Sequence, residues 1–367
     1  MSSPPGGAGA RSPASAARGS AEPQTSQTQT QTQTLAEQAA QDAAAIVPDD
    51  NLAEEEVTND GDSAFEEAQS SSASLASSIL RYRQENGRTY HAYKDLAYIL
   101  PNDESEQERL DLQHHMFTLT FNNKLHLAPL PQEVGRVLDV GTGTGIWALD
   151  FADEHPESEV IGVDLSPIQP AFVPPNLQFF IDDIEEPWTF TQKFDFIYAR
   201  MMTGSLASWP KLFDQAYENL SPGGWMEVVD AVLPLESDDG TLTSEHALYK
   251  WSRHCLKGAE IAGRPLDSGD FYKKQMEERG FVNVVERNMK WPQCGWAKDG
   301  RHKELGIWAE ENFGGGIYGL SVAMFTRVLG WTVEEVELFL VDVRKDIKNK
   351  SIHAYWPIRV VYGQKPE

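Results

Sequence analysis

An open α/β sheet with helices on both faces is the fold this sequence predicts, and three observations predict it. Short apolar runs at residues 137–140, 160–163, 177–181, 194–198 and 225–229 have the length and texture of strands buried on both faces. Helix-length stretches separate them, and such alternation implies right-handed crossovers and a parallel sheet. A glycine turn, Gly141-Thr142-Gly143-Thr144-Gly145, follows the first run directly. That is the strand-to-helix turn at which such sheets bind nucleotide-like ligands.

Composition narrows the function classes before any site is considered. The formal net charge is -25 over 367 residues. A nucleic-acid binder needs a basic face to neutralise phosphates, so direct nucleic-acid binding is not expected. Cys255 and Cys294 lie far apart and form no C-x-x-C pair, which suggests neither a disulfide framework nor a thiolate zinc site. No metal is expected. No run of eighteen apolar residues is present and the start lacks signal-peptide order, so the expectation is a soluble, non-membrane protein of the cytoplasm, with the nucleus also open.

Residues 1–75 are dominated by Ser, Ala, Gly, Pro, Gln and Thr, with a Gln-Thr repeat at 27–34. With so few large apolar residues they are expected to be a disordered acidic tail, a solvating leader or an arm for a regulatory partner. Twelve acids against Arg11 and Arg18 give the tail -10. Residues 76–130 read as a helical cap. Ile79, Leu80, Tyr82, Tyr90, Tyr93, Leu96 and Tyr98 supply apolar mass, and Leu112, Met116 and Leu119 recur at helical spacing. Tyr82, Arg88, Tyr90, His91 and Tyr93 suit either a ligand pocket or plain packing. His114 and His115 are adjacent and diverge by about 100° on a helix, poor geometry for sharing a metal.

From residue 131 to 367 the sheet pattern runs, interrupted by helical insertions at about 236–280 and 295–350 that suit a lid. A further strand is expected at 281–288 and a closing one at 358–362. The helix from Thr332 opens with a Thr-x-x-Glu capping box to Glu335 and carries an apolar stripe at Val336, Phe339, Leu340, Val343 and Ile347. Gly314-Gly315-Gly316 reads as a mobile hinge or as a loop between helices.

The glycine turn also discriminates among ligands. Its G-x-G-x-G spacing brings Gly145 one residue too early for a dinucleotide fingerprint, and no Lys-Ser or Lys-Thr pair follows to hold phosphates. Asp139 precedes the glycines. It would repel a pyrophosphate and attract an ammonium or sulfonium, so the pocket is tuned to a cationic, phosphate-free adenosine. Acids then fall at successive strand ends: Asp139, Asp164 for ribose hydroxyls, and Asp183 for an exocyclic amino group beside the Ile184 N–H. An NAD-dependent oxidoreductase is disfavoured by the spacing and by the lack of a second βαβαβ half.

From about Tyr82 to Lys365 the chain resembles the fungal LaeA-like methyltransferases, a branch of the class I S-adenosylmethionine-dependent superfamily. The resemblance is carried by residues 139–147, by Gly162-Val163-Asp164-Leu165-Ser166-Pro167-Ile168-Gln169-Pro170, by Asp183-Ile184-Glu185-Glu186-Pro187-Trp188, by Gly204-Ser205 and by Gly87-Arg88-Thr89-Tyr90-His91. It implies a Rossmann-like, seven-stranded, mostly parallel sheet whose last strand inserts antiparallel. It also implies S-adenosyl-L-methionine as cofactor, with contacts at Asp139, Gly141, Gly143, Gly145, Asp164, Asp183 and Ile184. The expected acceptor is a small molecule, plausible for fungal secondary metabolism; the alternative is a nuclear regulator acting through protein partners or protein methylation. Because the cofactor carries the activation, no catalytic residue is legible. His91, His246 and His254 are candidate bases for a hydroxyl acceptor, against ordinary structural roles.

Overall fold

Among the described residues seven strands form one sheet, in the spatial order 177–181, 159–164, 136–140, 194–200, 220–231, 355–364 and 282–292. They are β3 (Arg136–Val140), β4 (Glu159–Asp164), β5 (Leu177–Ile181), β6 (Phe194–Arg200), β7 (Leu220–Ala231), β8 (Val282–Pro292) and β9 (Tyr355–Gln364). This computed structural model describes residues 36–50, 82–91 and 100–367. Most of the expected tail, and Ile79, Leu80, Tyr93, Leu96 and Tyr98 of the expected cap, lie outside the described residues. The first five strands pair in parallel, whereas β9 is antiparallel to both β7 and β8. The seven-stranded class I arrangement with an inserted antiparallel last strand is therefore present.

Strand periodicity divides the core. Val137, Phe196, Tyr198 and Val229 face one side, where they meet Trp147 and Phe151. Leu138, Val140, Ile197 and Val228 face the other. The first side is covered by α1 (Glu104–Thr120), α2 (Ile146–Glu154), α4 (Ala247–Ala262), α6 (Gly300–Ala309), α7 (Gly316–Ala323) and α8 (Val333–Lys348); the second by α3 (Trp209–Asn219) and α5 (Tyr272–Glu278). Trp147 stacks on Tyr198 with ring centroids 4.0 Å apart. Burying each such side chain contributes roughly 1.5–3 kcal/mol. The Thr332 capping box forms as expected, with its hydroxyl receiving the Glu335 N–H and the Glu335 carboxylate receiving the Thr332 N–H.

Three local features differ from the sequence reading. The cap region opens with a hairpin, β1 (Arg83–Glu85) paired to β2 (Arg88–Tyr90), turned at Asn86 and Gly87. The Gly314-Gly315-Gly316 run is helical and not a loop between helices. It lies in a helical path that widens to π geometry over Glu310–Gly315, continues as α7 and widens again over Met324–Val328. Close packing explains the small residues: a Cβ on Gly316 would lie 2.5 Å from Arg109 Cδ, and one on Gly319 would meet the Arg88 guanidinium. Asn312 fixes the start of the run, receiving Arg109 Nη1 at 3.1 Å and donating to the Arg109 carbonyl at 2.8 Å.

Third, residues 42–50 fall within the expected tail yet carry defined contacts. Asp42 pairs with Arg287 at 2.6 Å, Asp49 pairs with Lys303 at 3.0 Å, and Pro48 bridges Ala297 as a short antiparallel addition. Ile46 is buried against Cys294, Trp296 and Ala297. Residues 36–41 are helical and belong to a separate compact unit. Among the described residues no helix is long and apolar enough to cross a membrane.

Candidate functional site

The glycine turn leaves β3 at the carboxyl edge of the sheet. Gly141 and Gly143 have φ of +70° and +58°, values that L side chains rarely adopt, so the sharp turn into α2 depends on glycine there. Gly145, also left-handed, is the N-cap of α2. The Gly141 N–H donates to the Val163 carbonyl at 2.8 Å, which keeps the turn in contact with the end of β4.

The three acids of the sequence reading lie at the carboxyl ends of β3, β4 and β5, in different environments. Asp139 is buried and receives the Thr142 hydroxyl at 2.5 Å. Burial raises its pKa to about 7 against the pull of the Thr142 bond and the Arg200 charge. Asp164 receives the Gly143 N–H and the Ser166 N–H, each at 2.8 Å, and burial raises its pKa to about 6. Asp183 is buried and receives the Glu185 N–H at 2.8 Å, a local turn bond. Beside it the Ile184 carbonyl receives Trp188 Nε1 and Gln215 Nε2, both at 3.0 Å. Burying a carboxylate is costly unless it is paired or well hydrogen-bonded. Asp139, with one hydroxyl donor, is the acid best suited to a ligand cation.

Several residues at this edge were not legible in sequence. The Gln169 side-chain amide donates to the Gly143 carbonyl at 2.6 Å and to the Ser166 carbonyl at 2.9 Å, tying the segment after β4 to the glycine turn. At the end of β6, Met201 holds φ +56°, a strained value for a bulky residue, of the kind that clusters at functional sites. Met202 then lies against Gly141, where an added Cβ would meet its thioether. The following segment is held by Asp230, which is buried and receives the Thr203 N–H at 3.0 Å and the Tyr272 hydroxyl at 2.6 Å. Glu185 receives the Ala207 N–H at 2.7 Å and pairs with Arg264 at 3.0 Å, while Arg264 also donates to the Ser205 carbonyl. The Ile184–Trp188 and Gly204-Ser205 blocks thus meet through one arginine.

α1 roofs the turn. Leu110 Cδ1 lies 3.6 Å from the position of a Cβ on Gly143, and Asp111 receives the Thr144 hydroxyl at 2.7 Å. Further along the helix, His114 Nε2 contacts Asp150 at 2.9 Å and His114 Nδ1 contacts Arg200 Nη2 at 3.1 Å. Burial and the Arg200 charge lower the His114 pKa to about 4. His115 points outward against Trp308 instead.

The candidate bases are dispersed. His246 is the N-cap of α4 and receives the Thr243 N–H at 3.0 Å. His254 sits among Phe325, Trp331 and Phe339, away from the glycine turn, and burial lowers its pKa. His91 is buried after β2. Arg88 forms a bidentate pair with Asp103, and Tyr90 lies under Arg327, whose guanidinium carbon is 4.5 Å from the ring centroid. Tyr90 is buried, and desolvation raises its pKa to about 12.

Comparison with known proteins extends the geometry. A family model described as a methyltransferase domain matches residues 112–286. The chain is 41% identical over 298 residues to the methyltransferase pytC of Aspergillus terreus, covering 81% of this chain and 92% of that one. It is 38% identical to tdiE of Emericella nidulans, covering 80% and 92% of the two chains. It is 37% identical to the secondary metabolism regulator laeA of Aspergillus fumigatus, covering 77% and 76%.

Proposed function

Because the chain belongs to the fungal family of LaeA-like and pytC-like methyltransferases, we propose that it binds S-adenosyl-L-methionine at the glycine turn and methylates a small-molecule acceptor of secondary metabolism. The observation that carries the cofactor reading is the buried Asp139 carboxylate beside Gly141 and Gly143, with Asp164 hydrogen-bonded to the turn itself. An ammonium suits the first acid, two ribose hydroxyls suit the second, and Asp183 with Ile184 suits the adenine. No lysine follows the glycines to hold a phosphate.

When bound, the donor supplies an activated methyl whose transfer to an acceptor lone pair breaks the carbon–sulfur bond and leaves the electron pair on sulfur. The protein's own work is alignment and exclusion of water. The roof of α1 at Leu110 and the Met202 side chain at Gly141 enclose the turn from two sides. An acceptor proton is released to bulk solvent once the methyl has been transferred.

Calorimetry with S-adenosylhomocysteine tests the cofactor site. Wild-type protein should bind, and Gly143→Arg and Asp164→Ala should each lose at least about tenfold, the scale of a lost charge-assisted contact. Undiminished binding by both variants would sink the assignment. The similarity to laeA supports a second reading, in which the enzyme acts as a regulator through protein partners or protein methylation. Mass spectrometry of metabolites from a strain lacking the gene separates the two. Loss of one methylated compound supports the small-molecule reading, and collapse of many unrelated compounds supports the regulator.

A further inference from the structure

The carboxyl end of β6 places a cation beside the cofactor-facing acid. Tyr198 is paired in register with Asp139, so both project from the same face of the sheet, and the two-residue period of a strand puts Arg200 on that face too. Arg200 is half-buried. Among the described residues no carboxylate lies within ion-pair distance of it, although its charge is felt at Asp139. It is held instead by α1: His114 Nδ1 at 3.1 Å from Nη2, and the Phe117 ring with its centroid 5.0 Å from the guanidinium carbon.

This support fixes direction without cancelling charge. A guanidinium can only donate, so His114 Nδ1 accepts, and Nε2 carries the proton and donates to Asp150 at 2.9 Å. The imidazole is therefore neutral in this arrangement and its tautomer is set from both sides. Met201, left-handed immediately after Arg200, turns the chain so that Met202 reaches Gly141. A cation with no carboxylate at ion-pair distance and a buried acid that feels its charge thus share one face of the sheet under α1, at the strand ends that carry the glycine turn. A ligand group with adjacent ammonium and carboxylate matches that pair of opposite charges.

We propose that Arg200 anchors the α-carboxylate at the amino-acid end of the methyl donor, opposite Asp139 on the ammonium, with His114 and Asp150 acting as positioning residues for the guanidinium. The assignment rests on the cofactor reading given above. Arg200 then works as a selector for the intact amino-acid end, and as a fixed point that sets how far the sulfonium reaches toward the acceptor.

The test is calorimetry on the full chain with two probes, S-adenosylhomocysteine and 5′-methylthioadenosine, the second lacking the amino-acid end. Arg200→Gln should weaken the first by about 10- to 100-fold, the scale of removing one partner of a desolvated charge pair, and leave the second within about twofold. Arg200→Lys should restore part of the loss, since it keeps the charge without the fork. His114→Phe should reduce the preference for S-adenosylhomocysteine by a smaller factor. Equal losses for both probes would indicate a structural role and overturn the assignment. So would unchanged S-adenosylhomocysteine affinity in Arg200→Gln, whether or not turnover falls, and in that case an acidic acceptor is the better partner for the cation. Wild-type protein that binds neither probe overturns the cofactor reading and this assignment together, whereas failure of Arg200→Gln alone leaves the cofactor reading standing.

Discussion

The Gln169 amide donates to the Gly143 carbonyl at 2.6 Å, so the loop after β4 holds the turn after β3 by a side chain. Asp164 holds the same residue from its other end, through the Gly143 N–H. The glycine turn is therefore gripped at both polar groups of one peptide residue before any ligand arrives.

Gln169→Leu should weaken S-adenosylhomocysteine binding by roughly fivefold, the equivalent of about 1 kcal/mol for one hydrogen bond. Thermal unfolding of the free protein should change little, because Gln169 is only partly buried. An affinity equal to wild type would show that the turn keeps its shape without this bond.

Binding should also report the Asp139 proton. The carboxyl is raised to about 7 in the free protein by burial, and a ligand ammonium favours its ionised form. Affinity for S-adenosylhomocysteine should therefore rise as pH increases from 5.5 to 8, with proton release on binding. Asp139→Asn should bind more weakly and with a flatter profile. A wild-type profile with no slope across that range would remove Asp139 from the ammonium contact.

Glu227 offers a separate pH signature in the folded core. It is fully buried in β7 and receives the Leu127 N–H at 2.8 Å and the Ala128 N–H at 2.5 Å. Burial raises its pKa to about 8, above its ordinary value of 4.5. A raised folded-state value means that its contribution is complete below about 4.5 and is lost as pH rises through about 8. Glu227→Gln should gain in thermal stability relative to wild type between pH 5 and pH 9. Glu227→Ala should lose about 1–3 kcal/mol by leaving the buried Ala128 N–H and the half-buried Leu127 N–H unpaired. Chemical denaturation at several pH values would measure both.

Residues 42–50 should matter to stability and not to the cofactor. Ile46→Ala should cost ~1–3 kcal/mol, since the side chain is buried against Trp296 and Cys294. Asp42→Ala should cost at most about 1 kcal/mol, as expected for a partly exposed ion pair. Both variants should keep S-adenosylhomocysteine affinity within about twofold, because the contacts are at β8, the segment after it and α6, across the sheet from β3 and β4. A large affinity loss would connect this strap to the cofactor site.

Sequence alone made the sheet legible because buried parallel strands announce themselves as apolar runs, and the turn because positive φ demands glycine. The three acids proposed for the cofactor, Asp139, Asp164 and Asp183, were picked out by their strand-end positions. The buried face of α1 did not follow. The apolar stripe at Leu112, Met116 and Leu119 predicts one face, but the helix buries Glu106, Arg109, Gln113 and His114 along with Met116 and Phe117. Glu106 pairs locally with Arg109, but Arg109 and Gln113 also reach Asn312 and His114 reaches Arg200, distant partners that no local pattern reveals. The glycine run at 314–316 misled for a similar reason. Gly316 of that run serves close approach to Arg109, and only the packed structure shows what approaches.

The position of β9 has a consequence for how the chain is assembled. It lies between β7 and β8, both of which precede it in sequence, and it supplies the hydrogen-bonding partner to each. Until residues 355–364 are available, both neighbours present unpaired edges, the usual template for association between chains. A nonsense mutation or proteolytic cut just ahead of Tyr355 would spare every residue of the glycine turn and still leave an adhesive half-sheet. Loss of the final strand should therefore be read in the cell as insoluble protein rather than as soluble protein with an altered active site.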